Sequence, residues 1–258
     1  MTAEERRMAA VLVAASAAAV VALGPLSEAL QARSAVAAVE AVDWIAWRAA
    51  LAGWEPLLVA EYLSTITTTV AAGLDWTTTF DATVLARTWG YEHSARLVTA
   101  VTETSRDAIR AIVVDGIGKG RSMDVVAGEV RAVVGLHPRW ATAVATYRRR
   151  LIDDGRPAAQ VARMTDRYHA RLLRKRSENI ARWEVQEARN VGRWRTWKEG
   201  QAEGAFPLDQ RKSWHADSTA CPVCLGLHGE TVGLDETFSD GRLMPPDHVR
   251  CRCTAVLV

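Results

Sequence analysis

The chain has 258 residues, of which 49% are hydrophobic and 24% charged, and its formal net charge is +2. That is enough apolar material for one large or two modest domains, and it excludes a chain too polar to build a core. The near-neutral total hides a segregation: residues 139 to 199 carry 16 Lys and Arg against 7 Asp and Glu, whereas residues 1 to 138 stand at 11 against 15 and residues 200 to 258 at 5 against 8.

In chain order, Arg6-Arg7 precede Met8 to Leu23, sixteen uncharged residues that include eight alanines. Such a run has the look of a signal-peptide core, and Ser27-Glu28-Ala29 offers a small-x-small site. It is nevertheless short against the roughly 20 residues a membrane span needs. Half of it is only weakly apolar, and the helical pattern continues past Glu28 without a polar break. A packed or partner-binding helix is the better expectation. Residues 2 to 52 read as helical, with Gly53 and Pro56 as the first break, and Trp44, Trp47, Leu51 and Trp54 share one face, as a packing stripe does.

Helical pattern resumes over 57 to 72 and 76 to 117, interrupted at Gly73, Gly90 and Gly116 to Gly120. Ser122 is placed to cap a helix ending at Gly135. Pro138 and Pro157 each follow a glycine stop where the first helical turn tolerates proline, which brackets helices of 138 to 154 and 157 to 200. Strands are expected only late, at Thr231 to Leu234 and Thr254 to Val258. The expected fold is mainly α: an elongated helical N-terminal region over 1–135, then 136–258 with long basic helices and a small α+β module bearing a zinc-type Cys/His cluster.

The helix from Pro157 carries an apolar seam of Val161, Met164, Tyr168, Leu172, Ile180, Trp183, Val191, Trp194 and Trp197, with arginines on its other faces. Arg148, Arg149 and Arg150 close the preceding helix, where cations also complement the helix dipole. Together with Arg174, Lys175 and Arg176 they are the candidates for contact with double-stranded DNA phosphate or with an acidic protein surface; the alternative is a solvated face beside acidic partners. No module for reading base sequence is visible.

All four cysteines lie in the last forty residues, as Cys221-Pro222-Val223-Cys224 and, after twenty-three residues, His248-Val249-Arg250-Cys251-Arg252-Cys253. Each half offers two soft ligands at the spacing with which a tight turn places both on one ion. Cys221, Cys224, His248 and Cys251 complete a tetrahedral zinc set; alternatively Cys251 and Cys253 supply the second pair with His248 outside the first coordination sphere. Disulfides and plain buried thiols remain the bland alternative, weakened by the absence of a clear secretory context.

Enzymatic readings fare poorly. His215-Ala216-Asp217 before the first cysteine pair superficially resembles a zinc-deaminase arrangement, but the acid is Asp and too few residues separate it from Cys221. Asp247-His248 could belong to a zinc-bearing His-Asn-His nuclease, yet the chain runs only ten residues further, with an apolar tail. His93, His137 and His169 are isolated on helical segments, and Gly116-Ile117-Gly118-Lys119-Gly120 follows a helix and lacks Walker spacing. No catalytic activity is expected.

Asp217-Ser218-Thr219-Ala220-Cys221-Pro222-Val223-Cys224, Leu227-His228-Gly229 and Pro245-Pro246-Asp247-His248-Val249-Arg250-Cys251-Arg252-Cys253 together resemble the ending of the phage Mu F-like minor head proteins, or phage head morphogenesis proteins. The resemblance runs upstream through Ile180-Ala181-Arg182-Trp183-Glu184 and Ala188-Arg189-Asn190, with Trp183 where family members often carry Thr, and covers about residues 100 to 258. It implies a virion component at the portal vertex inside the capsid, made in the host cytoplasm. Its expected partners are the portal protein and capsid or scaffold proteins, and its role is assembly and DNA packaging or delivery. A zinc-dependent nuclease or toxin-like effector built on the same module is the competing expectation.

Overall fold

The computed structural model describes residues 1–23, 42–73, 82–133 and 135–258. Eight α-helices are described: α1 (Ala3–Ala18), α2 (Trp44–Ala52), α3 (Glu55–Gly73), α4 (Ala82–Gly118), α5 (Met123–Arg131), α6 (Pro138–Asp153), α7 (Ala158–Ala202) and the short α8 (Pro222–Leu227). A 3-10 turn, Ala19–Leu23, follows α1, and three strands complete the chain: β1 (Arg211–His215), β2 (Thr231–Gly233) and β3 (Thr254–Leu257). The expected mainly helical chain with a small sheet near its end is what forms. Ser27-Glu28-Ala29 and the start of the helix expected from 76 lie outside the described residues. No described helix is long and apolar enough to cross a membrane.

The chain divides into two compact units, one of Met1–Met8, Leu58–Glu92 and Glu178–Val258, the other of Ala9–Leu57 and His93–Ser177. In the second unit the core is built from Trp47, Leu51, Ile109, Val113, Val126, Val130, Leu136 and Val144, all buried. The tryptophan stripe is therefore a packing stripe: Trp47 is 1% exposed, and Trp44 and Trp54 pack half-buried against the same core. The break before α3 falls at Gly53 and Trp54, and Pro56 sits in the first turn of α3, where its missing N–H is harmless.

One expected boundary moves. Ser122 holds the capping position of α5 but its hydroxyl makes no capping bond, and the helix stops at Arg131 rather than Gly135. Gly135, at φ 77, belongs to the turn before α6. Pro138 opens α6 as expected, with the His137 ring accepting from the Arg139 N–H at 3.3 Å.

In the first unit the part of the apolar seam expected on α7 from Ile180 to Trp197 is not what lies deepest. Ala181, Val185 and Ala188 are fully buried, and at Gly192 an added Cβ would stand 3.5 Å from the Ile66 carbonyl oxygen of α3. Small residues let two helix backbones approach, while Trp183 and Trp194 flank that line half-buried. α1 begins with a reciprocal cap: the Thr2 hydroxyl accepts from the Glu5 N–H at 3.2 Å and the Glu5 carboxylate accepts from the Thr2 N–H at 2.9 Å.

The sheet has strand order β2-β1-β3, antiparallel throughout, with Lys212 opposite both Val232 and Leu257 and Trp214 opposite Ala255. β1, the central strand, is absent from the sequence expectation. Lys212 occupies an inward position of this strand with no exposed surface, so the alternation that marks a half-buried strand is disguised.

Candidate metal centre

The approach to the first cysteine pair is a turn shaped by Asp217, whose carboxylate accepts from the Thr219 N–H at 2.9 Å and from the Thr219 hydroxyl at 2.5 Å. These bonds hold the Asp217 carboxyl below its ordinary range. Pro222 then opens α8 with Cys221 at the capping position, so Cys221 and Cys224, three residues apart, fall on one side of a single helical turn. The second half is a tight turn in which the Cys251 N–H donates to the His248 carbonyl at 2.9 Å and Arg250 adopts φ 72. Cys253 is the last residue before β3, so its position is set by pairing of that strand with β1.

The two halves meet. The His248 Nε2 lies 3.2 Å from the Cys221 Sγ and 3.1 Å from the Cys224 Sγ, and the Cys224 and Cys251 sulfurs are 3.8 Å apart. A disulfide would need about 2.0 Å, and all four thiols are free. With metal–sulfur bonds of about 2.3 Å, two thiolates on one tetrahedral ion stand roughly 3.8 Å apart, the separation found here. The donor atoms form two sets that share Cys224, one of Cys221, Cys224 and His248 and one of Cys224, Cys251 and Cys253, each within 4.8 Å of one another. His248 and Cys253, the two candidates for the fourth ligand, each fall in one of these sets beside Cys224, and the soft S and N donors suit a zinc-like ion.

Protonation within the cluster is uneven. Burial, then the neighbouring Cys251, pushes the Cys224 thiol far up, and burial likewise raises Cys251. The Cys221 thiol is lowered, chiefly by the Cys224 backbone N–H at the start of α8. The His248 Nδ1–H donates to the Val249 carbonyl at 2.9 Å, which raises that imidazole and, in its neutral form, turns the Nε2 lone pair toward the sulfurs.

Residues of α7 hold the second knuckle. Asn190 is fully buried, its amide N–H donating to the Pro245 carbonyl at 2.8 Å while its oxygen accepts from the Thr254 hydroxyl at 3.0 Å. The Gln186 amide donates to the Cys253 carbonyl at 2.8 Å, and Arg193 reaches the Thr254 hydroxyl. Arg250 donates to the Asn179 side chain at 3.0 Å, and Arg252 lies 3.6 Å from Glu5. Upstream, Glu184 is buried and accepts from the Tyr62 hydroxyl at 2.7 Å. At the position of Trp183 the indole N–H donates to Glu187 at 2.9 Å and Arg242 covers the ring. Asn190 was legible only as part of a family pattern; Gln186, Arg193, Asn179 and Glu5 carried no signal of their own, because their partners lie up to 247 positions away, as Glu5 does from Arg252.

The histidine that precedes the first knuckle in sequence is not among its donors. His215 stacks edge-on with His228 at 5.4 Å, and His228 accepts from the Ala216 N–H, so the deaminase-like arrangement does not assemble. Asp247 pairs with Arg242 at 3.4 Å. The glycines of 116 to 120 end α4 and lead into α5, with no strand before them.

The six basic candidates separate into engaged and free. Arg149 lies 3.5 Å from the fully buried Glu129 and 3.4 Å from Asp115, and Arg121 reaches both of those acids. The Arg148 guanidinium rests over Gly128, where a Cβ would stand 2.9 Å from it. Burial pushes the Glu129 carboxyl up, against the pull of Arg121, Arg149 and Arg148. Arg176 donates to the Gly135 carbonyl, and burial lowers its guanidinium to about 10. Lys175 lies 5.8 Å over the Trp140 ring. Arg150 and Arg174 are exposed. Arg148, Arg149 and Arg176, each half-buried, thus have their contacts within their own unit.

The sequence profile of the family described as Phage Mu protein F like protein matches residues 107–256, well over half of the chain and close to the extent of the resemblance read from the motifs. No curated protein and no solved structure matches the chain.

Proposed function

The chain belongs to the Phage Mu protein F like family, and from that premise we propose that it is a minor structural protein of a tailed-phage head, carried at the portal vertex on the capsid interior and assisting assembly and DNA packaging or delivery. Membership by itself points to a phage head morphogenesis protein associated with the virion. The observation that carries the finer reading is that the motif residues do structural work. Asp217 shapes the turn into the first knuckle, Asn190 ties α7 to the second, and the five ligand candidates fall in two close sets joined at Cys224. We read the module as a stapled docking element and not as an enzyme. Cys221, Cys224 and Cys251, with His248 or Cys253, would hold one zinc ion, which supplies a cross-link between segments a small core holds only weakly.

The test pairs elemental analysis of the purified chain with co-purification against the portal protein of the same phage. About one zinc per chain and retention by the portal ring support both halves of the proposal. A metal-free chain that folds with the knuckles intact would remove the staple. A chain that ignores the portal, or that turns over a nucleic-acid substrate, would remove the portal role.

A further inference from the structure

α6 and α7 are consecutive helices joined by a turn at Asp154 to Pro157, with Gly155 at φ 70. Between them lies an open groove of about 860 Å³, with Arg139 and Arg150 on the α6 side and Arg167 and Arg171 on the α7 side. All four residues are exposed, and among the described residues none of the four guanidinium groups is in an ion pair. Tyr147 and Tyr168 meet edge-on between them with ring centres 5.1 Å apart, and Arg171 lies 4.9 Å over the Tyr168 ring. The nearby acids Asp153, Asp154 and Asp166 point to solvent and do not line the groove. Four unneutralised cations facing one cleft repel one another, and an anionic ligand removes that cost.

We propose that this groove is a binding site for the phosphodiester backbone of nucleic acid. The choice of nucleic acid as the polyanion rests on the head-protein reading; the groove itself does not. Arg139 and Arg150 are eleven residues apart on one helix, about 16 Å, so one small anion cannot engage both and a line of charge is required. A nucleic-acid strand supplies charges at fixed intervals of roughly 3.4 Å in a duplex, and guanidinium forks accept phosphate oxygens two at a time. A flexible acidic peptide has no such fixed spacing and loses conformational entropy on lining up. Neither helix is placed as a base-reading module, so binding is independent of sequence. The groove lies within the basic segment, but on arginines 139, 150, 167 and 171 and not on the half-buried set of 148, 149 and 176.

The experiment uses the full chain and a fluorescent duplex of mixed sequence, with anisotropy followed between about 50 and 200 mM salt. Arg167→Gln with Arg171→Gln should make the log–log salt dependence shallower by about two and weaken binding markedly at the lower salt. Arg48→Gln with Arg110→Gln, the same charge change at exposed positions of α2 and α4 outside the groove, should leave both nearly unchanged. Equal losses in the two pairs would show diffuse attraction and overturn the site. So would displacement of the duplex by poly-glutamate at equal charge concentration, or failure of the wild-type chain to bind at low salt. Recovery of the wild-type chain with phage particles is read in parallel; its absence overturns the head-protein reading without touching the groove.

Discussion

Lys212 sits at the centre of the sheet with no exposed surface, its ammonium donating to the Leu234 carbonyl at 2.6 Å and the Glu236 carbonyl at 2.7 Å and lying 5.5 Å over the Phe238 ring. Burial depresses its pKa to about 8, against the pull of Asp235 and Glu236. The folded chain therefore binds fewer protons at this site than the unfolded chain between about pH 8 and the ordinary lysine value of 10.4. Stability should rise with pH across that window, by up to about 1.4 kcal/mol per unit, and the gain should disappear as pH falls through 8. Lys212→Met, compared by urea denaturation at several pH values, should lack that rise; parallel profiles for both proteins would show that the lysine is not held as described. This residue also explains why β1 escaped the sequence. A lysine at an inward position reads as a solvent-facing one, whereas the metal-ligand candidates were legible because a knuckle is encoded in two or three neighbouring residues. The role of Arg149 was not legible, since Asp115 and Glu129 come from other helices.

Boundaries between helices depend on what the intervening turn packs against. Gly135 looked like the end of α5 by composition, yet α5 stops at Arg131 and Gly135 serves a turn that must pass close to α1. Its φ is 77, and an added Cβ would stand 2.8 Å from the Ser16 Cβ and 3.1 Å from a Leu173 methyl. Gly135→Ala should therefore combine left-handed strain with overpacking and cost about 2–4 kcal/mol. Gly155, at φ 70 in the turn between α6 and α7, has nothing within 4 Å of the same position. Gly155→Ala should show the strain alone, about 1 kcal/mol. Chemical denaturation of the two variants checks the difference, and equal losses would mean that the contact with Ser16 and Leu173 relaxes freely. The helices flanking these turns were well bracketed by Pro138 and Pro157, because a proline in the first turn is a local signal. The small-residue line of α7 was not, because its reason is the close approach of α3.

At the scale of the whole chain, the two units differ in what holds them. The core around Trp47, Ile109, Val126 and Val144 contains none of the proposed ligands. The core around the sheet is small, and Cys224, Cys251 and Cys253 are themselves members of it beside Trp214, Leu227 and Phe238. If an ion joins these candidate ligands, as proposed, a core in which they take the place of hydrophobes depends on it, as small metal-stapled modules do. Chelation at neutral pH should accordingly release amide protection first in β1, β3 and α8, while α5 and α6 keep theirs. Cys221→Ser should do the same in the presence of metal. Acidification gives an independent handle, since burial holds the Cys224 and Cys251 thiols above their ordinary range and a bound ion must displace those protons. As pH falls, protons compete more strongly with metal, and the same strands should lose protection without chelator. Hydrogen exchange followed by mass spectrometry reads both arms. Protection lost uniformly along the chain, or retained in the sheet after the metal is gone, would show that the C-terminal fold stands on its hydrophobic and hydrogen-bonded contacts alone.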